Sequence, residues 1–350
     1  GGNVSSTAFN QAYIGVNYQT IGRVGQQLGA DLYLGPIYTW GTIGGRTDFY
    51  MWKPVFLDYS YNFAVRNFRH GSFGNITKID NTRQVKNSES FFSVAAGMPL
   101  AHRGVFLIRA NGGHVNYRYD SDELFADDTD HSRYSFFGIK AELARNTLDK
   151  FLYPRRGSDL KLSGIFVTGR DKYEPFDAEK FLSRTSRQWV GARLTWDKYF
   201  DMPGCSWFSL GLNVDGVITN HPEFTTEGAT VMSMPAYEPV PHAQMIYMPD
   251  FRGKRFAAGG VMPTFDLMPN FFLRTGFYAM FREKRSFVPG VSGPVEDKRW
   301  HYIAEASLVY HTPIGPVSLA LTKYDLRNWK NMYLTFNFGY AIFAPKGTFY

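Results

Sequence analysis

The amino-acid sequence predicts an all-β fold, a transmembrane antiparallel β-barrel with sixteen strands. Three observations support this prediction: apolar residues alternate with polar ones, short turns alternate with long loops, and aromatic residues make up 17% of the chain. Membrane barrels hide their lipid-facing surface by such alternation and carry aromatic girdles at both interfaces. No run of about 18 or more apolar residues offers a membrane helix, and no helical periodicity is found elsewhere.

Alternation is strongest near the end of the chain. Between 332 and 343 the even positions are apolar and the odd positions are small or polar, and the same period of two recurs at 136–144, 190–197, 207–215 and 316–322. Because successive side chains of a strand point to opposite faces, each stretch predicts a strand with one apolar face. We expect the following side chains to face lipid: Leu319, Leu321, Leu334, Phe336 and Phe338.

The connections distinguish a membrane barrel from a soluble sandwich or propeller, which would also alternate. Every second connection is short and contains Pro or Gly: 21–25, 98–104, 153–157, 202–205, 268–270 and 313–315. The connections between them are mostly long and polar: 69–88, 120–131, 170–186, 219–254 and 283–298. Outer-membrane barrels have short periplasmic turns and longer extracellular loops. This sorting predicts localisation in the outer membrane of a Gram-negative bacterium.

Fifteen strands can be read from the pattern. They are 9–20, 26–39, 46–55, 57–68, 89–98, 105–118, 134–146, 158–169, 187–199, 206–218, 255–266, 270–282, 299–311, 316–327 and 332–343. Bacterial single-chain barrels have an even number of strands. We therefore expect either that one strand precedes the chain or that one pairing segment is not recognisable, and that the intact barrel has sixteen.

The sequence offers little for other chemistry. The net charge of +7 is scattered, so nucleic-acid binding is not expected, and a single cysteine excludes an internal disulfide. The eight histidines lack metal-ligand spacing. Residues 120–131 are acidic but lack the glycine and final glutamate of a calcium loop, which favours a solvated outer loop over one that bridges lipid phosphates through divalent ions. No G-x-S-x-G elbow is found, so we expect no cofactor, no metal and no catalysis.

Four ordered motifs carry a resemblance to a known family. They are YPRRGSDLKLSG at 153–164, FRG at 251–253, YHTPIGPVSLAL at 310–321 and FNFGYAIF at 336–343. Together they resemble the BamA and TamA superfamily of sixteen-stranded assembly and translocation barrels. Within it, residues 238–263 and 270–281 are similar to the C-terminal barrel of bacterial patatin-like phospholipases, especially those of Bacteroidetes.

The resemblance implies that residues 1–350 form a single barrel domain, preceded in the full protein by a patatin hydrolase and a POTRA-type domain. It also implies contact with outer-membrane lipids, dimerisation, and recognition by the barrel assembly machinery. The implied insertion signal is Asn337, Gly339, Ile342 and Phe343.

The same resemblance places Phe251, Arg252 and Gly253 on a loop motif that folds back into the lumen. Its arginine is held there by acidic and aromatic groups of the wall. The candidate partners for this arginine are acids that alternate with the apolar positions of their strands and are therefore expected to face the lumen: Asp215, Glu305, Glu142 and Asp197. Many relatives carry an aspartate where this chain has Arg274, so we expect Arg252 to pair with Asp215 or Glu305. A solvated loop cation is the alternative.

Two functions from different classes follow. One is a plugged barrel that anchors a patatin-like phospholipase in the membrane. The other is an open pore, or a translocation or assembly channel of the same superfamily. A hydrolase elbow upstream would favour the anchor, and a conducting lumen would favour the channel.

Overall fold

A computed structural model gives the fold of most of the chain. It describes residues 2–5, 11–35, 38–50, 53–69, 84–120, 129–174, 183–202, 204–244, 248–283, 299–313, 315–326, 332–339 and 346–348. None of the helices in these residues is long and apolar enough to cross a membrane.

The described residues form sixteen antiparallel strands in one sheet, in sequence order, and the order closes on itself. The first eight are β1 Gly2–Ser5, β2 Gln11–Ile21, β3 Gly25–Leu34, β4 Tyr38–Tyr50, β5 Pro54–Arg69, β6 Gln84–Leu100, β7 Gly104–Asp120 and β8 Thr129–Asn146. The others are β9 Gly157–Glu174, β10 Ser183–Met202, β11 Cys205–Thr219, β12 Arg255–Met268, β13 Phe271–Arg282, β14 Trp300–Thr312, β15 Gly315–Tyr324 and β16 Met332–Phe338.

The sixteenth strand is β1, which the sequence pattern did not reveal. It pairs with β16 through Val4 and Ser5 and with β2 through Gly2 and Asn3. The expected count of sixteen is therefore confirmed, and the missing strand is a segment too short to display alternation. Closure matters because a barrel has no free edge, and free edges are not tolerated in the hydrocarbon of a membrane.

The predicted lipid face is confirmed on the last two strands. Leu319 is 43% exposed and Phe336 is 40% exposed, whereas Ala320 and Thr335, on the opposite parity, are buried. The same contrast between exposed apolar residues and buried inward residues is found around the sheet. The exposed apolar belt is the surface that lipid covers, and the buried parity lines the lumen.

We expect Phe336→Lys to destabilise the barrel by about 2–4 kcal/mol, because it places a charge in the hydrocarbon region. Phe336→Leu keeps the face apolar and is the matched control. The measurement is the free energy of unfolding in lipid bilayers. A lysine variant as stable as the leucine variant would contradict the lipid-facing assignment.

The boundary between β3 and β4 differs from the prediction. The sequence placed the break at 40–45, whereas the chain turns between Leu34 and Tyr38, and the glycine-rich stretch lies within β4. A Cβ on Gly41 would lie 2.5 Å from the Phe63 ring of β5. The glycine therefore leaves room for a neighbouring aromatic ring instead of forming a turn.

Candidate functional site: the occupied lumen

Residues 220–254, between β11 and β12, form a segment that we call the lumen loop. It contains one short helix, α1 Glu227–Ser233, and two 3-10 turns, Pro241–Gln244 and Pro249–Phe251. The expectation that the chain lacks helices is wrong at this point. The Thr226 side chain caps α1 by accepting a hydrogen bond from Ala229 N, and Pro235 follows soon after the helix end, where the preceding residue avoids helical backbone.

Residues 220–244 and 248–254 of the lumen loop lie inside the barrel, as predicted. The buried apolar side chains of the loop include Phe224, Val231, Met232, Tyr237 and Val240. Most of them belong to one cluster with inward-facing wall residues, among them Tyr134, Trp189, Tyr278 and Ile303. Such an arrangement removes apolar surface of both loop and wall from water, which is the main stabilising term for a plug of this kind.

Asp171 of β9 fixes one end of the lumen loop. Its carboxylate accepts hydrogen bonds from both the backbone N and the hydroxyl of Thr225, each at 3.0 Å, and the residue is completely buried. Sequence reasoning missed this acid because it assigned 170–186 to an outer loop. The sequence did contain a signal for it. Ile165 and Val167 occupy odd positions that face the lumen, and Asp171 occupies an odd position of the same strand.

Asp215 of β11 fixes the middle of the loop through Arg193. The guanidinium donates to the carboxylate at 3.1 and 2.6 Å and also to Ala236 O at 3.1 Å. A bidentate arginine of this geometry is both strong and directional. Asp215 is one of the two predicted partners of Arg252, but its observed partner is Arg193, through which it helps to hold the loop.

Asp197 reaches the loop through one intermediate. It accepts a hydrogen bond from the Asn213 amide at 2.8 Å, and the Asn213 carbonyl accepts one from the Tyr237 hydroxyl at 2.7 Å. The loop tyrosine is almost fully buried. Its hydroxyl is thus satisfied by the wall, as a buried polar group requires.

The motif residues lie at the point where the loop returns to β12. Phe251 makes edge contacts with the rings of His301 and Tyr324, with centroids 5.6 and 6.1 Å apart. Nearby, the buried Arg282 donates to Asp250 O at 3.1 Å. A Cβ on Gly253 would meet its neighbours at ordinary contact distances, so no close approach requires a glycine at this position.

Arg252 is buried and is held by the lumen loop itself. Its guanidinium donates to Met232 O at 2.9 Å and Met234 O at 3.2 Å, and it lies 3.9 Å from the Glu238 carboxylate. These contacts differ from the expected pairing with Asp215 or Glu305. The reason is that the loop folds on itself around the arginine and supplies both carbonyls and an acid, while Asp215 is engaged by Arg193.

The remaining predicted residues have other contacts. Glu305 accepts hydrogen bonds from Ser307 and Thr322, and Glu142 forms an ion pair with Lys140 at 2.5 Å. Arg274 lies among aromatic groups: it donates to the Tyr199 hydroxyl at 3.3 Å and faces the Tyr153 and Tyr199 rings. These contacts are all with residues outside the lumen loop.

Residues 346–348, which follow β16 in the sequence, also lie in the lumen, which sequence reasoning did not anticipate. Lys346 forms an ion pair with Glu238 of the lumen loop at 3.2 Å. Gly347 donates to Glu89 of β6 at 3.0 Å and accepts from Asn111 of β7 at 2.8 Å. We call residues 346–348 the lumen tail. It ties the tip of the lumen loop to the wall.

Glu238 connects the tail and the loop motif electrostatically. Burial would raise the pKa of Glu238, but Lys346 and Arg252 outweigh it and hold that pKa below its usual range. Burial lowers the pKa of Lys346 to about 8, with Glu238 opposing the shift. On the wall side, Arg66 forms an ion pair with Glu89 at 3.2 Å. The cavity left among these groups is about 30 Å³, which is room for one or two water molecules.

The periplasmic end of the lumen is covered by the turn between β8 and β9. Tyr153, at its centre, is buried and donates to the Ser318 hydroxyl of β15 at 3.1 Å, while Arg155 forms an ion pair with Asp266 of β12 at 2.7 Å. This turn therefore crosses from one side of the barrel to the other. The lumen is occupied from both ends.

The insertion-signal residues are partly described. Asn337 belongs to β16 and pairs with Ser318, and Gly339 donates its N–H to Pro316 O at 2.9 Å. Ile342 and Phe343 lie outside the described residues. Within the described part of the chain, no group of three or more His, Cys, Asp or Glu residues could hold a metal ion.

Sixteen closed antiparallel strands with an apolar belt define the fold of an outer-membrane β-barrel of Gram-negative bacteria. Among solved structures, the fold is similar to BamA from Haemophilus ducreyi lacking POTRA domains 1–3, with a TM-score of 0.66 and 11% identity. That similarity covers 96% of this chain and 68% of the BamA chain. CdiB from Acinetobacter baumannii is similar with a TM-score of 0.51 and 9% identity, over 96% of this chain and 59% of CdiB.

No protein-family model and no curated protein matches this sequence. At identities near 10%, the two structures establish the fold and leave the activity open. The expected sixteen-stranded outer-membrane barrel fold is confirmed, and membership of the BamA and TamA superfamily stays a prediction. The link to patatin-like phospholipases stays a prediction.

Proposed function

We propose that this chain is a plugged outer-membrane barrel that serves as a membrane anchor. The observation that carries the proposal is the attachment of the lumen loop to the wall through Asp171, Arg193 and Asn213. An open diffusion pore needs a free, water-filled lumen. Here the loop is held at several buried points and the lumen tail is bound against it. Such an occupied lumen favours a role in membrane anchoring over a role in diffusion.

The anchored domain in this proposal is a patatin-like lipid acyl hydrolase that precedes the barrel in the full protein. This part rests on the resemblance of residues 238–263 and 270–281 to such barrels. Dimerisation through the barrel and insertion by the assembly machinery belong to the same proposal. The full reading frame tests it directly: a G-x-S-x-G elbow upstream supports the anchor, and its absence argues against the hydrolase.

A gated translocation or assembly channel is the second candidate. It is favoured by the fold shared with BamA and CdiB, and by the short pairing of β1. Within the described residues, that strand pairs with each neighbour through two residue positions, whereas β9 and β10 are paired from Ser183 to Tyr199. A seam with few hydrogen bonds is where a barrel wall opens at least cost.

Single-channel recording in planar bilayers tests the plugged state. We expect wild-type barrels to be mostly closed, and barrels that lack residues 222–248 to open more often and to larger conductance, because the deletion removes the lumen loop. Deletion of 121–128, between β7 and β8, is the matched control and should leave the recordings unchanged. Steady porin-like conductance in the wild type, unaffected by the 222–248 deletion, would overturn the plugged anchor in favour of the open channel.

A further inference from the structure

The outward face of β6 to β10 changes character along each strand. Toward the turns it is apolar, as in residues 92–100 of β6 and 160–168 of β9. Toward the long loops it becomes cationic, and the cations on the lipid-facing parity are Lys86, Arg118, Arg133, Arg170, Lys172 and Arg184, together with His114 and His131. We call these residues the basic rim.

The basic rim lies just beyond the hydrocarbon. The apolar stretches on these strands are close to the ~9–11 residues that a tilted strand needs to cross the bilayer. Charged groups on the lipid face are costly at the midplane and nearly free at the interface. The basic rim must therefore lie at the level of the lipid headgroups on the side of the long loops, which is the extracellular side.

The registers place like charges directly opposite one another. Lys86 is opposite Arg118, and Lys172 is opposite both Arg133 on β8 and Arg184 on β10. Like charges at directly opposed positions destabilise a sheet. Three such pairs side by side on one face would be stabilised by an anionic partner that offsets the repulsion.

Among the described side chains, Glu174 is the one acid on this face, and it serves only part of the group. It forms ion pairs with Lys172 at 2.5 Å and His131 at 3.3 Å. Arg133, Arg170 and Arg184 are exposed, and no salt bridge to them is found within the described residues.

The extracellular ends of β11 to β14 are different. At the corresponding ends of β11, β13 and β14 the outward side chains are Ile218, Phe281 and Trp300, all exposed and apolar, while Arg255 of β12 is paired with Glu283. Among the described side chains of the strands outside the basic rim, the outward cations at this end are Arg255 and Lys323 of β15, so the positive charge is concentrated on β6 to β10. A general preference for cations at the interface does not account for this asymmetry.

We propose that the basic rim is a binding site for the phosphorylated headgroup of an outer-leaflet glycolipid. Arginine binds phosphate bidentately, and lysine adds a point charge beside it. The lipid source is favoured because the rim is continuous with the apolar belt, so one molecule can place its acyl chains on residues 160–168 and its phosphates against Arg133, Lys172 and Arg184. A soluble acidic protein would have no use for the adjoining apolar surface.

The test uses the barrel reconstituted in phosphatidylethanolamine nanodiscs that contain bisphosphorylated lipid A. Lipid A retained per barrel is measured by native mass spectrometry after delipidation. We expect the triple variant Arg133→Gln, Lys172→Gln, Arg184→Gln to retain at least about tenfold less than the wild type, because each removed cation contributes separately at the membrane surface. Higher salt should also reduce retention by the wild type.

Arg145→Gln is the matched control. Arg145 shares the outward parity of β8 with Arg133 but lies at the opposite, turn-side end of the strand, so its loss should not change retention. A charge-conserving variant, Arg133→Lys with Arg184→Lys, should retain most of the lipid A and show that fold and charge are both intact. Heat-modifiable migration verifies folding of every variant.

Two outcomes would overturn the proposal. One is equal retention of lipid A by the triple variant and the wild type, which would result if acids near the rim already neutralise it. The other is equal retention of dephosphorylated and bisphosphorylated lipid A by the wild type. If the triple variant does not fold, Arg133→Gln alone is compared with Arg145→Gln, and equal retention by these two would refute the site.

Discussion

Deletion of residues 337–350 is expected to abolish assembly of the barrel into the outer membrane. Both positions that join β16 to β1 lie in the deleted segment, because Val4 pairs with Phe338 and Ser5 pairs with Asn337. The deletion therefore removes every described pair that closes the sheet. It leaves β1 and β15 with unpaired backbone groups in hydrocarbon, where each costs several kcal/mol.

The measurement is the fraction of protein that is inserted and shows heat-modifiable migration. We expect it to fall to the background of an unfolded barrel. Deletion of 346–350 is the matched control, since it removes the lumen tail and leaves β16 and its partners in place. That shorter variant should insert normally, with a lumen loop that proteases cleave more readily. Normal insertion of the longer deletion would show that closure through 337 and 338 is dispensable.

The strands could be predicted because lipid imposes a period of two on one face. The predicted strand at 270–282 is observed as Phe271–Arg282, and the one at 255–266 as Arg255–Met268. Where lipid imposes no such pattern, prediction failed. The four residues of β1 are too few to alternate, and the glycines near Gly41 indicated a turn although they accommodate the Phe63 ring.

The position of the lumen loop could be predicted, but its contacts could not. A connection of this length without strand pattern is uncommon unless it has a function, and the resemblance around Phe251 placed it inside the barrel. The partner of Arg252, however, is an acid fourteen positions earlier in the same irregular segment, and Lys346 joins it from 108 positions away. No periodicity relates such residues, so only the folded chain reveals that they meet.

Arg252→Ala is expected to destabilise the barrel by about 3–5 kcal/mol, which is the usual cost of removing one partner from a buried pair. The substitution leaves Met232 O and Met234 O without their donor and takes one of two neighbouring cations from Glu238. Arg252→Lys should cost less, because an ammonium keeps the charge while it reproduces only part of the planar contact. The free energy of unfolding in lipid bilayers is the measurement.

Two backgrounds identify the origin of that cost. In Glu238→Gln protein the uncompensated carboxylate no longer exists, so Arg252→Ala should be less damaging than in the wild type, with a coupling energy of about 1–3 kcal/mol. In Asp215→Asn protein the cost should be unchanged, because Asp215 is bound by Arg193. Coupling to Asp215 instead of Glu238 would mean that the wall, and not the loop, holds the arginine. A cost below about 1 kcal/mol in every background would place Arg252 among solvated surface cations, whose ion pairs contribute no more than that.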